Sequence, residues 1–91
     1  MLKVRICNAD GAVIAEGMCS DSGYVPSALA GIYNAGVGST PARSLKSYGA
    51  PFESDDYPVG TERARFGYTP SREAGGDYVL DDEVIVHIER T

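Results

Sequence analysis

Three consecutive carboxylates, Asp81, Asp82 and Glu83, stand directly before the run Val84-Ile85-Val86-His87-Ile88, with Asp77 a little upstream. Oxygen donors gathered this closely can hold a hard cation such as calcium. Their spacing lacks the alternating acids, central glycine and distal glutamate of an EF-hand loop, so a solvated turn at the mouth of a strand is the expectation. Asp55-Asp56 reads the same way, and neither a metal nor another cofactor is expected. His87 is the sole histidine, so any imidazole general base has to be this residue. A mid-strand histidine commonly lacks the groups that orient a catalytic ring, and a structural or surface role is expected. Cys7 or Cys19 acting as nucleophile with His87 as base gives a small-enzyme alternative, although no third orienting group is evident. The two cysteines fit neither a redox pair nor a zinc knuckle, and two free, partly buried thiols are expected. Gly36-Val37-Gly38-Ser39-Thr40 has the glycines of a phosphate cradle. It follows a helical pattern instead of preceding one and has no P-loop lysine, so it reads as a helix stop.

The elements that position these residues follow from periodicity. Leu2, Val4 and Ile6 alternate with Lys3, Arg5 and Cys7, giving a first strand with one buried face. Asn8-Ala9-Asp10-Gly11 supplies turn-forming side chains and a glycine for positive φ, predicting a three-residue hairpin loop with a bulge. The second strand runs from Ala12 to about Cys19 and brings Glu16 near Arg5. Pro26-Ser27 marks a helix entry. Leu29, Ile32, Tyr33 and Gly36 then form one helical stripe that can lie across the sheet. From Ser39 to about Gly60 the periodicity dissolves into a long irregular loop, where Tyr48, Phe52 and Tyr57 sit among Glu53, Asp55 and Asp56. Thr61 to Thr69 alternates Arg63, Arg65 and Gly67 with Ala64, Phe66 and Tyr68, predicting a third strand. Pro70 to Gly76 is turn chemistry. In the closing strand Val84, Val86 and Ile88 face the core, while Ile85, His87 and Glu89 face away, with His87 near Lys3 or Arg5.

A chain of 91 residues is expected to make one domain, 1–91, around one core. It contains no apolar run long enough to span a bilayer and no signal-peptide pattern at its start, so a cytoplasmic protein without a membrane partner is expected. The net charge of −5 is uneven. The first fifty residues are nearly balanced, whereas from Pro51 onward ten carboxylates face four arginines. Such a field repels phosphate backbones and attracts basic surfaces, which disfavours direct nucleic-acid binding and allows docking on a nucleic-acid-binding protein.

The order strand, bulged hairpin, strand, short helix, irregular segment and closing strand resembles the β-grasp fold. The start of the strand at the first residues, the Asn8-Ala9-Asp10-Gly11 turn and the Leu80-Asp81-Asp82-Glu83-Val84-Ile85-Val86 entry are similar to the ubiquitin-like branch and its small sulfur carriers. The resemblance implies an α+β fold: a small mixed sheet with an N-terminal β-hairpin, one short helix, and the C-terminal strand central and parallel beside the first. Members that act as modifiers or carriers work through a C-terminal Gly-Gly. The sequence reads Ile88-Glu89-Arg90-Thr91 at this point, so carrier chemistry is expected only from a longer precursor.

The leading functional expectation is a non-enzymatic protein-interaction module. Its acidic surface would comprise Glu53, Asp55, Asp56, Asp77, Asp81, Asp82 and Glu83, its aromatic anchors Tyr48, Phe52 and Tyr57, and its partner a protein with a basic surface. One concrete form is a phage-type inhibitor, such as an anti-CRISPR or other anti-defence protein, whose carboxylates occupy a nucleic-acid channel in place of phosphates. The alternatives are a β-grasp carrier or scaffold component of a larger complex and the small Cys or His87 enzyme. An uncovered sheet edge can also pair two copies as a homodimer.

Overall fold

Alternation of apolar and polar residues makes most of the described residues into strands. A computed structural model describes residues 1–20, 25–38, 42–47, 59–68 and 79–91, with the backbone alone at 25–26, 46–47 and 79–82. The elements are β1 (Leu2–Cys7), β2 (Val13–Cys19), α1 (Val25–Val37), β3 (Ser44–Ser47), β4 (Gly60–Tyr68) and β5 (Val79–Arg90). The strands form one sheet in the order β2-β1-β5-β4-β3, and every neighbouring pair is antiparallel. An α+β architecture with the C-terminal strand central beside the first is therefore present. The expected mixed sheet and parallel first-to-last pairing are corrected: Leu2 lies opposite Arg90 and Cys7 opposite Ile85, so β5 runs against β1. β5 lies between β1 and β4 and is antiparallel to both, so its direction is shared between two ladders and is not set by β1 alone.

The β1–β2 turn forms as its residue types require. Asn8 Oδ1 accepts hydrogen bonds from the backbone N–H of Asp10 and Ala12, both at 3.0 Å, and Gly11 takes φ +90°. The register slips between Ile6 and Cys7, which is the expected bulge. A second correction concerns the irregular loop at about 39–60. Ser44–Ser47 within it is a strand, pairing Ser44 with Gly67 and Leu45 with Phe66. Its sequence, Ser-Leu-Lys-Ser, carries too little alternation to announce itself, and it is an edge strand held largely from outside.

Leu2, Val4, Ile6, Ala15, Leu29, Tyr33, Ala64, Phe66, Val84, Val86 and Ile88 make the core. Its centre is an aromatic stack, Tyr33 on Phe66, with ring centroids 4.1 Å apart and planes 4° apart. The Tyr33 hydroxyl accepts a hydrogen bond from Arg43 Nη1 at 3.0 Å. Beside it, Asn34 donates through Nδ2 to the Arg43 carbonyl at 2.7 Å and accepts from the Arg43 N–H at 3.0 Å. These bonds fasten the approach to β3 onto the helix.

α1 closes on β2 through small residues. A Cβ on Gly36 would stand 2.8 Å from the Ile14 carbonyl oxygen and 2.9 Å from Ala15 Cα, whereas one on Gly31 would meet nothing within 4 Å. The two glycines share a helix but not a constraint, which yields a paired prediction. Gly31→Ala raises stability by about 0.5–1 kcal/mol through helix propensity. Gly36→Ala gains the same propensity but forces the helix off β2 and lowers stability by roughly 1–3 kcal/mol. Chemical denaturation of both variants decides the matter, and a Gly36→Ala protein as stable as Gly31→Ala would mean that α1 is not seated against Ala15.

Candidate functional site

The helix covers one face of the sheet, and none of the described elements lies on the other. That outer face displays Lys3 and Arg5 of β1, Glu16 and Met18 of β2, Glu83, Ile85, His87 and Glu89 of β5, and Thr61, Arg63 and Arg65 of β4. Their register pairs Arg5 with Glu16 and His87, Lys3 with Met18 and Glu89, Thr61 with His87, and Arg65 with Glu83. Antiparallel sheets commonly keep one polar face of this kind.

Of the acidic residues singled out from sequence, Glu83 is the one whose side chain is described. Its carboxylate meets two arginines from β4, Arg63 Nη1 at 3.5 Å and Arg65 Nη2 at 3.9 Å, with all three side chains substantially exposed. Asp81 and Asp82 lie within β5, Asp82 opposite Phe66. The triplet is therefore inside a long strand, which corrects the reading of it as a turn at the strand mouth. Pairing with β4 extends β5 back to Val79, and cross-strand hydrogen bonding overrides the weak strand propensity of aspartate. Glu53, Asp55, Asp56, Asp77, Tyr48, Phe52 and Tyr57 lie outside the described residues. Ser47, which precedes Tyr48, pairs with Arg65 and hence sits level with Glu83, whereas Gly60 pairs with Ile88 farther along the sheet.

His87 occupies the expected outer face beside Arg5. Its Nδ1 lies 2.8 Å from the Thr61 hydroxyl, a partner that sequence spacing does not disclose because Thr61 reaches it through strand pairing. Lys3, Arg5, Gly60, Thr61, His87, Ile88 and Glu89 line a groove of about 290 Å³. A second depression of about 180 Å³ is lined by Ala9, Arg63, Glu83, Val84 and Ile85. Neither cysteine stands opposite His87: Cys7 is buried opposite Ile85, and Cys19 is half-buried opposite Leu2. Both are free thiols. Among the described residues no three His, Cys, Asp or Glu side chains gather as a metal site, and no helix is long and apolar enough to cross a membrane.

The strands, helix and other described residues together contain seven lysines and arginines and seven aspartates and glutamates. The segments joining them, 21–24, 39–41, 48–58 and 69–78, contain Asp21, Glu53, Asp55, Asp56, Glu73 and Asp77 against Arg72. The entire net charge of −5 therefore resides in those segments. They also carry five aromatic residues, Tyr24, Tyr48, Phe52, Tyr57 and Tyr78. No protein-family model, curated protein or solved structure matches the chain.

Because Glu83 is shared between two exposed arginines, its ion pairs are surface interactions of small worth. Glu83→Gln is expected to change stability by less than about 1 kcal/mol, with the difference shrinking as salt is raised. Urea denaturation at low and high ionic strength measures this, and a salt-independent loss of several kcal/mol would show Glu83 to be a structural keystone.

Proposed function

We propose that the chain is a non-enzymatic protein-interaction module whose acidic, aromatic-bearing connecting segments dock on a basic surface of a partner protein. The observation that carries this reading is the uneven charge of the sequence: from Pro51 onward ten carboxylates stand against four arginines, with Glu53, Asp55 and Asp56 beside Phe52 and Tyr57. Carboxylates so distributed attract a cationic surface over a Debye length and select against anionic ones, while tyrosine and phenylalanine bury contact area at small entropic cost. A phage-type inhibitor filling a nucleic-acid channel is one concrete form of this module. The antiparallel β1–β5 pair differs from the parallel one that the β-grasp carrier reading expects, and His87 has a threonine and an arginine as cross-strand neighbours, so the interaction module is the reading we favour.

The test is affinity capture from the native host with the wild-type chain and with a Glu53→Gln, Asp55→Asn, Asp56→Asn variant, followed by salt elution. The expected outcome is a basic protein retained by the wild type, released as ionic strength rises, and retained at least about tenfold less by the variant. Equal retention by the variant, or a complex indifferent to salt, would remove the electrostatic docking reading.

A further inference from the structure

The groove between β1, β5 and β4 has a polarity opposite to that of the chain as a whole. It is lined by two cations, Lys3 and Arg5, by two hydrogen-bonding groups, Thr61 and His87, and by one carboxylate, Glu89. With His87 neutral, this lining carries a net charge of +1 in a protein whose net charge is −5. We infer that the groove is a binding site for a small monocarboxylate, held by Arg5 and Lys3 and oriented by His87.

Three features carry the inference. The first is register: Arg5, His87 and Thr61 form one row across three hydrogen-bonded strands, and Lys3 stands two residues from Arg5 on the same face. The backbone ladder of the sheet's interior thus fixes the spacing of the donors, and a site built on strands is held more tightly than one built on loops. The second is the 2.8 Å contact between the Thr61 hydroxyl and His87 Nδ1. When Thr61 donates to Nδ1, the neutral ring carries its proton on Nε2 and is a hydrogen-bond donor to a ligand. The third is size and charge. About 290 Å³ lies at the small end of ligand clefts, and a lining of net +1 matches a monoanion. A dianion such as phosphate would leave charge uncompensated beside Glu89. A planar carboxylate also suits the fork of donors on a guanidinium. Glu16 lies opposite Arg5 on its far side, and Glu89 lies opposite Lys3, so both cations have acidic neighbours for the ligand to compete with. Gly60, at φ +136°, contributes no side chain to the groove wall.

The residues lining the groove all belong to β1, β4 and β5, and the site is tested separately from the acidic segments. Sodium acetate is titrated into the isotope-labelled chain at pH 7, with sodium chloride exchanged for it so that ionic strength stays constant. Backbone amide and His87 ring signals are followed by NMR. Saturable shifts centred on Lys3, Arg5, Thr61 and His87 are expected, with dissociation on the order of millimolar for so small a ligand. Binding should be roughly tenfold weaker in Arg5→Gln, an exposed position whose replacement leaves the amide dispersion intact. Shifts that rise linearly without saturating, or unchanged affinity in Arg5→Gln, would overturn the site. Tighter saturation by inorganic phosphate than by acetate would overturn the assignment to a monocarboxylate.

Discussion

Among the described residues one thirteen-residue helix covers one face of a five-stranded sheet, and the stack of Tyr33 on Phe66 is what lets it do so. α1 sits closest to β2, where Gly17, Ala15 and Gly36 allow near contact of backbones. From there a side chain as long as tyrosine is needed to reach Phe66 on β4, beyond the two central strands. Burying that ring takes its hydroxyl out of water, which costs free energy unless the hydroxyl finds a partner. Arg43 supplies the partner, and Asn34, the next residue in the helix, holds Arg43 by its backbone. The position of edge strand β3 thus follows from an aromatic contact in the core, through the polar group that the contact forces inside.

The opposite face solves a different problem. It has no helix among the described residues, so its side chains have to tolerate water on one side and satisfy one another across strands. Arg65 and Glu83 do so at 3.9 Å, and the register sets opposite charges facing each other at Arg5 and Glu16 and at Lys3 and Glu89. Each pair is worth a few tenths of a kcal/mol or so and is screened by salt. Their larger effect is on register. A slip of one residue would move Lys3, Arg5, Arg63 and Arg65 into the apolar layer beneath the helix, at a cost that several exposed ion pairs could not offset. Register in turn places Arg5, His87 and Thr61 in one row.

Much of this was legible in the sequence where a pattern was local. The hairpin follows from Asn8 and Gly11, the helix from the Leu29, Ile32, Tyr33 and Gly36 stripe, and the inward faces of β1 as far as Ile6, of β4 as far as Phe66 and of β5 from Val84 to Ile88 from alternation, which a register shift after Phe66 interrupts. What could not be read depends on pairing. The direction of β5 is shared between its ladders with β1 and β4, and nothing within Val84–Ile88 encodes it. Asp81 and Asp82 look like turn residues in isolation and become strand because β4 offers them a ladder. Ser44–Ser47 is a strand for the same reason. Thr61 meets His87 only through the sheet, so a search for motifs along the chain passes over both. Of the candidate acidic residues, Glu83 was read as part of a turn at the strand mouth, and its place on the outer face between two arginines of β4 is disclosed only by the sheet.

That sharing changes where the protein's acidity can act. Among the described residues seven lysines and arginines stand against seven aspartates and glutamates, so the folded sheet experiences little net self-repulsion. The sequence stretches 21–24, 48–58 and 69–78 together carry the net charge of −5, and on the proposed docking their carboxylates gain when a cationic surface arrives. On that proposal stability and binding fall to different residues. Core and register depend on Tyr33, Phe66, Gly36 and the alternating strands, while electrostatic attraction depends on residues such as Glu53, Asp55 and Asp56 that the framework does not need for its own balance. A chain arranged in this way can vary its connecting segments to follow a partner without disturbing the sheet that carries them. The groove at Arg5 and His87 is the exception, because its donors belong to the framework and a change there would have to be made within the limits of the register.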